Sequence, residues 1–362
     1  MAVHKLSSKH AAAILALFYM GSALHMPTGL GTDGWIAYLA GLLIVMPLLL
    51  ILARLVRLMP EMNLYDMLEY TLGKALAVIV GLFYFLYFIA WAAVARVYYG
   101  TFVQQTSLTR TPLIVILLIL FVLCIYLARS GVATVGKWSI LLGAVVLFGA
   151  VLLTLLAIPD MRLEHLLPIA ARGSRAIARG GYRQALWPFG GAVVMLAVLR
   201  PLDRKANPYA ALLFGAAIAC GFFVLNFLRD TAVLGETGMD TLRYPSFQTA
   251  GVVRMGVVET RIEFLTALPL ILAGLTKAAV CLLAAAGAVA RIFRNRDRQS
   301  ILFPAALFSV GLSVMLLYSR EAALFVPTFH QSVAPLFQAV IPVLVWLIAE
   351  GKHKRKPMGA EK

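Results

Sequence analysis

Lys277 stands thirteen residues from either end of the apolar run 264–290. A lysine at the centre of a bilayer costs at least about 2.5–3.5 kcal/mol on insertion scales. From that depth its ammonium cannot easily reach a headgroup layer. The residues at helical spacing from it, Ala273, Gly274, Cys281 and Ala284, are all small. The side chain therefore faces a packed interior. Two functional chemistries suit such a cation: it stands in for a bound inorganic cation, or it titrates with a ligand. A structural lysine bonded to backbone carbonyls is the third reading.

The second chemistry belongs to backbone. Gly21, Ser22 and Ala23 interrupt the first apolar run, and Pro27 follows. Phe189, Gly190 and Gly191 interrupt the sixth, within Trp187-Pro188-Phe189-Gly190-Gly191. Glycine in a helix interior is unfavourable by about 1 kcal/mol relative to alanine, and proline by about 3 kcal/mol. In lipid each freed N–H or C=O also needs a partner, so a break persists where backbone lines a cavity. Freed N–H groups and the positive ends of half-helices can hold a carboxylate. Small residues also serve close helix packing, but two breaks in corresponding positions point to a binding site. The predicted ligand-binding set is Gly21, Ser22, Ala23, Phe189, Gly190, Gly191 and Lys277.

Two further residues lie near this set. His25 sits on the outer side of the first break, as a core residue or a ligand. Arg96, late in the third run, reaches the outer interface or pairs with Asp230 or Glu236, as an anchor or as part of a ligand pathway. Asp33, beside Trp35, reads as an interface anchor.

The elements that must carry these residues are membrane helices. Hydrophobic residues make up 62% of the 362 and charged residues 13%, against roughly half and a quarter in soluble domains. Spans need about 20 apolar residues. Ten are predicted: 11–30, 34–53, 75–102, 112–128, 138–158, 186–200, 208–228, 264–290, 301–319 and 334–349. With both termini cytoplasmic, the short inner loops are all basic, as at Arg54, Lys137, Arg204 and Arg294. That rule accounts for the net charge of +16 without nucleic acid. Cys124, Cys220 and Cys281 form no CxxC pair and read as packing residues. HExxH, GxSxG and phosphate-loop motifs are absent, Gly136-Lys137-Trp138-Ser139 lacking the upstream glycine. The chain reads as a non-enzyme with no cofactor and no metal site.

One all-α membrane domain, 1–362, is expected, with five-helix repeats at 11–158 and 186–349. Five is odd, so the second repeat is inverted. Between them, 160–185 carries Arg172, Arg175, Arg179 and Arg183 on one helical face. It reads as a basic outer segment on anionic headgroups or as a docking face for an acidic partner. Gly180 and Gly181 are expected to end its helix. The segment 245–260 reads as an outer helix or re-entrant piece, Asn63–Gly73 as a short amphipathic helix, and 350–362 as a basic tail.

Several stretches, in order, carry a resemblance. They are MGSALHMP (20–27), TDGWIAYLAG (32–41), NLYDMLEYTLGK (63–74), Arg96, TRTPLIVI (109–116), WPFGG (187–191), RYPSF (243–247) and RIEFL (261–265). Together they resemble the spore germination permeases, the B subunits of GerA-type germinant receptors, over about 8–349. The resemblance implies the LeuT-like fold of the amino acid–polyamine–organocation superfamily, with helices 1 and 6 broken. It implies a pocket between spans 1, 3, 6 and 8 for an amino acid or similar nutrient. It implies A-type and C-type receptor subunits as partners, membrane lipid around the chain, and a place in the bacterial cell membrane or spore inner membrane. Family members often carry an acidic residue shortly after the Pro-Phe of span 6; here Gly190 and Gly191 follow. An ion- or proton-coupled amino acid permease is the alternative.

Overall fold

The computed structural model describes residues 5–24, 30–252, 263–293, 298–319 and 331–355. His25 and Pro27 lie outside the described residues. So do the last residues of the 245–260 segment and the end of the basic tail.

Thirteen α-helices are described: α1 (Ser8–Met20), α2 (Gly34–Leu58), α3 (Leu64–Leu72), α4 (Lys74–Thr106), α5 (Leu113–Arg129), α6 (Val132–Ala157), α7 (Gly173–Leu186), α8 (Val194–Val198), α9 (Pro208–Thr241), α10 (Pro245–Val252), α11 (Glu263–Ile292), α12 (Arg298–Tyr318) and α13 (Ile341–Arg355). Seven helices among the described residues are long and apolar enough to cross a membrane, and they fall on the predicted spans 2, 3, 5, 7, 8, 9 and 10. The fourth, α5, is equally apolar but shorter. Lipid-facing Leu, Ile, Val and Phe stay exposed on these helices, as at Leu43, Phe83, Val122 and Phe148.

The helix of span 1 stops early, and span 6 is in pieces. Helix α1 ends at Met20, and Gly21 to Leu24 form turns whose N–H groups bond back to Leu17, Tyr19 and Met20 carbonyls. The sixth span differs from its predicted bounds. Helix α7 runs down to Leu186, a 3₁₀ stretch follows at Phe189–Val193, and α8 completes it. Gly180 and Gly181 do not end α7. They lie inside it, where a side chain at Gly181 would meet Ala40 Cβ at 2.7 Å. The arginines make α7 look like a surface segment in sequence, yet its small residues pack closely on α2.

The packing of the broken helices is reciprocal. Gly41 lies seven residues after the start of α2 at Gly34 and faces Gln184 and Ala185 of α7. Gly215 lies seven residues after the start of α9 at Pro208 and faces Ala12 and Leu15 of α1. Each crossing uses a glycine because backbone meets backbone or Cβ there.

Helix α3 forms where the amphipathic stretch predicts it. Asn63 caps it by accepting from Tyr65 and Asp66 N–H groups, with Asp66 reaching back to the Asn63 N–H. Asp66 and Glu69 pair with Arg291 at 3.2 and 2.7 Å. At the same pole the chain before α1 is tied to the chain after α8. Leu6 N–H donates to the Pro201 carbonyl and Asp203 N–H to the Leu6 carbonyl, both at 2.8 Å.

Asp33 is not an interface anchor. It is buried and accepts from Ala170 N–H at 2.6 Å and Arg172 N–H at 3.4 Å. Ala170 sits at φ +59, a backbone conformation that this carboxylate helps to hold. Asp33→Ala is expected to cost about 2 kcal/mol through the two orphaned N–H groups. A thermal unfolding scan in detergent checks it, and an unchanged midpoint would refute the assignment.

Candidate functional site

The two breaks and Lys277 meet. Lys277 lies midway along α11 and is fully buried. Its ammonium donates to Ser22 Oγ at the first break. Three aromatic rings surround the same nitrogen: Trp187 at 4.2 Å from the ring centroid, Trp91 at 4.4 Å and Phe18 at 5.0 Å. Trp187 opens the second break and stacks on Trp91 of α4 at 4.5 Å. Ser22 and Lys277 of the predicted set thus touch directly, and Gly21 is the hinge that lets them. A Cβ on Gly21 would sit 2.7 Å from the Ala273 carbonyl oxygen and 3.1 Å from Lys277 Cβ.

Magnitudes decide what this cage does. A desolvated cation–π contact contributes roughly 2 kcal/mol. The effective cost of taking an ammonium out of water is several kcal/mol. The rings lower that cost but neutralise nothing. Among the described residues no carboxylate lies within ion-pair distance of Lys277. Among the described residues the partners of the Lys277 amine are the Ser22 hydroxyl and the π faces of three rings.

Phe189, Gly190 and Gly191 are buried beside it. The Tyr19 hydroxyl donates to the Phe189 carbonyl at 2.7 Å. Gln338 Nε2 donates to the Leu186 carbonyl at 3.1 Å and to the Tyr87 hydroxyl at 2.8 Å. Side chains from α1 and from the π turn Leu336–Val340 thereby satisfy carbonyls that the second break frees. Gly191 is needed because a Cβ would lie 2.6 Å from the Phe18 ring, and a Cβ on Gly190 would overlap the Gln338 carboxamide.

A cavity of about 530 Å³ lies beyond the first break. Ala23 and Leu24 line it, together with Tyr98 of α4, Asp230 of α9, Thr266 of α11 and Arg243 before α10. Its wall at Ala23 is the residue next to Ser22. The second-break glycines do not line it. Arg96 is neither at the interface nor paired with Asp230 or Glu236. It is buried and donates to Ser313 at 3.0 Å and Ser309 at 2.9 Å, joining α4 to α12. Asp230 instead pairs with Arg229, and Glu236 with Arg172. Arg96 bonds to hydroxyls because α12 presents two serines one turn apart at its level.

A family model described as spore germination protein matches residues 5–321. The chain belongs to this family. Among curated relatives, spore germination protein KB of Bacillus subtilis (strain 168) is 24% identical over 97% of this chain and 96% of its own length. The putative spore germination protein YfkT of the same organism is 21% identical over 88% of each. Among solved structures, a Na+-coupled sialic acid symporter in a substrate-bound outward-open state matches with TM-score 0.67 and 14% identity, over 92% of this chain and 79% of that one. A manganese transporter of Eremococcus coleocola matches with TM-score 0.59 and 13% identity, over 94% and 75%. This germination protein is therefore an integral membrane protein with the all-helical fold of LeuT-like transporters.

Sequence reasoning missed the aromatic cage. Its signal was available in α4, where Tyr84, Tyr87, Phe88 and Trp91 follow helical spacing and are all buried on one face. Such a stripe reads as core until the lysine opposite is placed against it. Gly21→Ala tests the close contact at the break. The Ala273 carbonyl is backbone and cannot swing away, so about 2 kcal/mol of destabilisation is expected. A thermal melt of the purified protein measures it; no shift would mean that α1 and α11 are less tightly apposed.

Proposed function

We propose that this protein is the membrane-embedded subunit of a spore germinant receptor, and that it binds an amino acid or similar small nutrient beside Ser22 and Lys277. One observation carries the reading: a fully buried lysine amine stands where the two breaks meet, and among the described residues no carboxylate lies against it. A ligand carboxylate would supply the missing counter-charge. The N–H groups of Gly21, Ser22 and Ala23 are taken by the Leu17, Tyr19 and Met20 carbonyls, so the first break offers the Ser22 hydroxyl, the close approach of Gly21 to α11 and the cavity wall at Ala23. Phe189, Gly190 and Gly191 hold the second break in place against Phe18 and Gln338. The 530 Å³ cavity reaches Ala23 but is lined by neither Ser22 nor Lys277; it is the side from which a ligand would approach them.

Binding acts as a signal only if it favours one helix arrangement over another. Trp187 is the element through which that difference would pass, because it covers Lys277 and continues directly from α7. In this reading A-type and C-type receptor subunits receive the signal, in the spore inner membrane, with both termini cytoplasmic. The two halves are read as inverted repeats, the second beginning at α7. The reciprocal glycine contacts of Gly41 on α7 and Gly215 on α1 support that.

A second reading, an ion- or proton-coupled amino acid permease, is favoured by the transporter fold of the solved structures. Purified protein in liposomes, given radiolabelled amino acids, separates the two. Saturable binding without accumulation supports the receptor. Gradient-dependent uptake makes the protein a permease. Neither binding nor uptake, alone or with the A-type and C-type subunits, would overturn the site itself.

A further inference from the structure

Helix α7 carries a charged stripe that the ligand site does not use. Arg175, Arg179 and Arg183 are spaced four apart and all exposed. Among the described residues none of the three has an ion-pair partner, whereas Arg172 is engaged by Glu236 at 2.6 Å. The opposite face of α7, at Gly180, Gly181, Gln184 and Ala185, is buried against α2.

The depth of the stripe follows from that packing. The chain just before α7 is pinned to Asp33, at the start of α2, and Gln184 lies against Gly41. The arginines therefore extend alongside the first two turns of α2. Helix α2 has 25 residues and at 1.5 Å per residue is about 37 Å long. That exceeds the hydrocarbon thickness of about 30 Å by a few ångströms at each end. The stripe thus begins in the headgroup layer, and Arg183, beside the Gln184 that meets Gly41, lies about 7 Å inside the acyl region. Long arginine side chains reach back several ångströms from such positions. Exposed apolar residues flank the stripe: Leu167 is 60% exposed, Ile169 58% and Tyr182 48%. A face with guanidinium groups at phosphate depth and bare aliphatic groups beside them suits a phospholipid molecule.

We propose that Arg175, Arg179 and Arg183 form a binding surface for the phosphate groups of anionic phospholipids in the leaflet bordering the start of α2. Guanidinium forks bind phosphate oxygens in pairs. Bound lipid would hold α7, and α7 ends at Leu186 and Trp187 beside Lys277. The surface therefore gives the membrane's anionic lipid a handle on the second break, independent of what the central site binds.

The purified full chain in neutral detergent is titrated with phosphatidylglycerol and, separately, with phosphatidylcholine, and bound lipid is counted by native mass spectrometry. A basic residue near an anionic surface contributes about fivefold in affinity. The triple variant Arg175→Gln/Arg179→Gln/Arg183→Gln should lose roughly 100-fold for phosphatidylglycerol and little for phosphatidylcholine. Arg179→Gln alone should lose about fivefold, and Arg179→Lys less, which keeps the test open if the triple variant fails to fold. Unchanged phosphatidylglycerol binding in the single and triple variants overturns the proposal. So does displacement of the lipid by millimolar inorganic phosphate, which would mark a free-anion site. Tight arginine-dependent binding of a glutamate-rich peptide that excludes the lipid would instead assign the face to an acidic protein.

Discussion

Lys277→Met should lower binding of a carboxylate-bearing nutrient at least about 100-fold and leave the protein as stable as before, or more so. Methionine matches lysine in length and fills the space between Phe18, Trp91 and Trp187 with favourable sulfur–aromatic contacts. It also removes a buried ammonium that no described carboxylate neutralises, and replacing buried charge with apolar volume is often neutral or stabilising. A charge-assisted hydrogen bond to a ligand carboxylate would be lost together with its desolvated ion-pair energy, about 3 kcal/mol or more. That corresponds to about two orders of magnitude in affinity. The pair of measurements is equilibrium binding in liposomes and a thermal melt. Unchanged binding and germinant response would reduce Lys277 to a structural residue. A collapse of the melt would show that the ammonium is bonded more strongly than Ser22 and the rings allow.

Much of this site was legible because its residues break local rules. A lysine at the middle of an apolar run and glycines inside two runs are anomalies that a membrane helix tolerates only with a reason. Ser22 and Lys277 indeed touch. The short helix at Asn63–Gly73 was legible through its capping residue and amphipathic spacing. What misled was polarity. Helix α7 reads only as a surface segment because its exposed arginines dominate any hydropathy average, while the contact that places its other face, Gly180 and Gly181 on Ala37 and Ala40, uses residues with no side chain to signal it. Asp33 and Arg96 were misplaced for a related reason. Their partners are backbone N–H groups and serine hydroxyls, and neither is visible as a complementary charge.

The cage was hidden by the opposite effect. Trp91, Phe18 and Trp187 look like ordinary apolar filling in a chain that is 62% hydrophobic. They become informative only when three helical pieces bring their faces to one nitrogen. The same holds for Gln338, whose amide bonds the Leu186 carbonyl from a π turn. A π turn shifts helical register and re-aims a side chain, and no local pattern in Leu336–Val340 announces it.

Asp230→Ala is expected to be the most destabilising single change in the outer half of the protein, at about 3–5 kcal/mol. Arg229 and Asp230 are adjacent on α9 and both buried, with side chains 1% and 3% exposed. Arg229 gives Nε and Nη2 to the same carboxylate oxygen at 2.8 and 2.6 Å, and Ser246 of α10 donates to the other oxygen. Alanine would leave a guanidinium buried without its counter-charge and free α10 from α9. The cause can be separated from simple packing loss. In Arg229→Met/Asp230→Leu both charges go and apolar volume stays, so most of the lost stability should return. A thermal melt of the two variants reads the difference. If the double variant is as unstable as Asp230→Ala, the carboxylate matters for its bond to Ser246 rather than for neutralising Arg229. Because Asp230 also lines the 530 Å³ cavity, the double variant has a second use. Retained nutrient binding would show that the ligand's charge is met by Lys277 and not by Arg229.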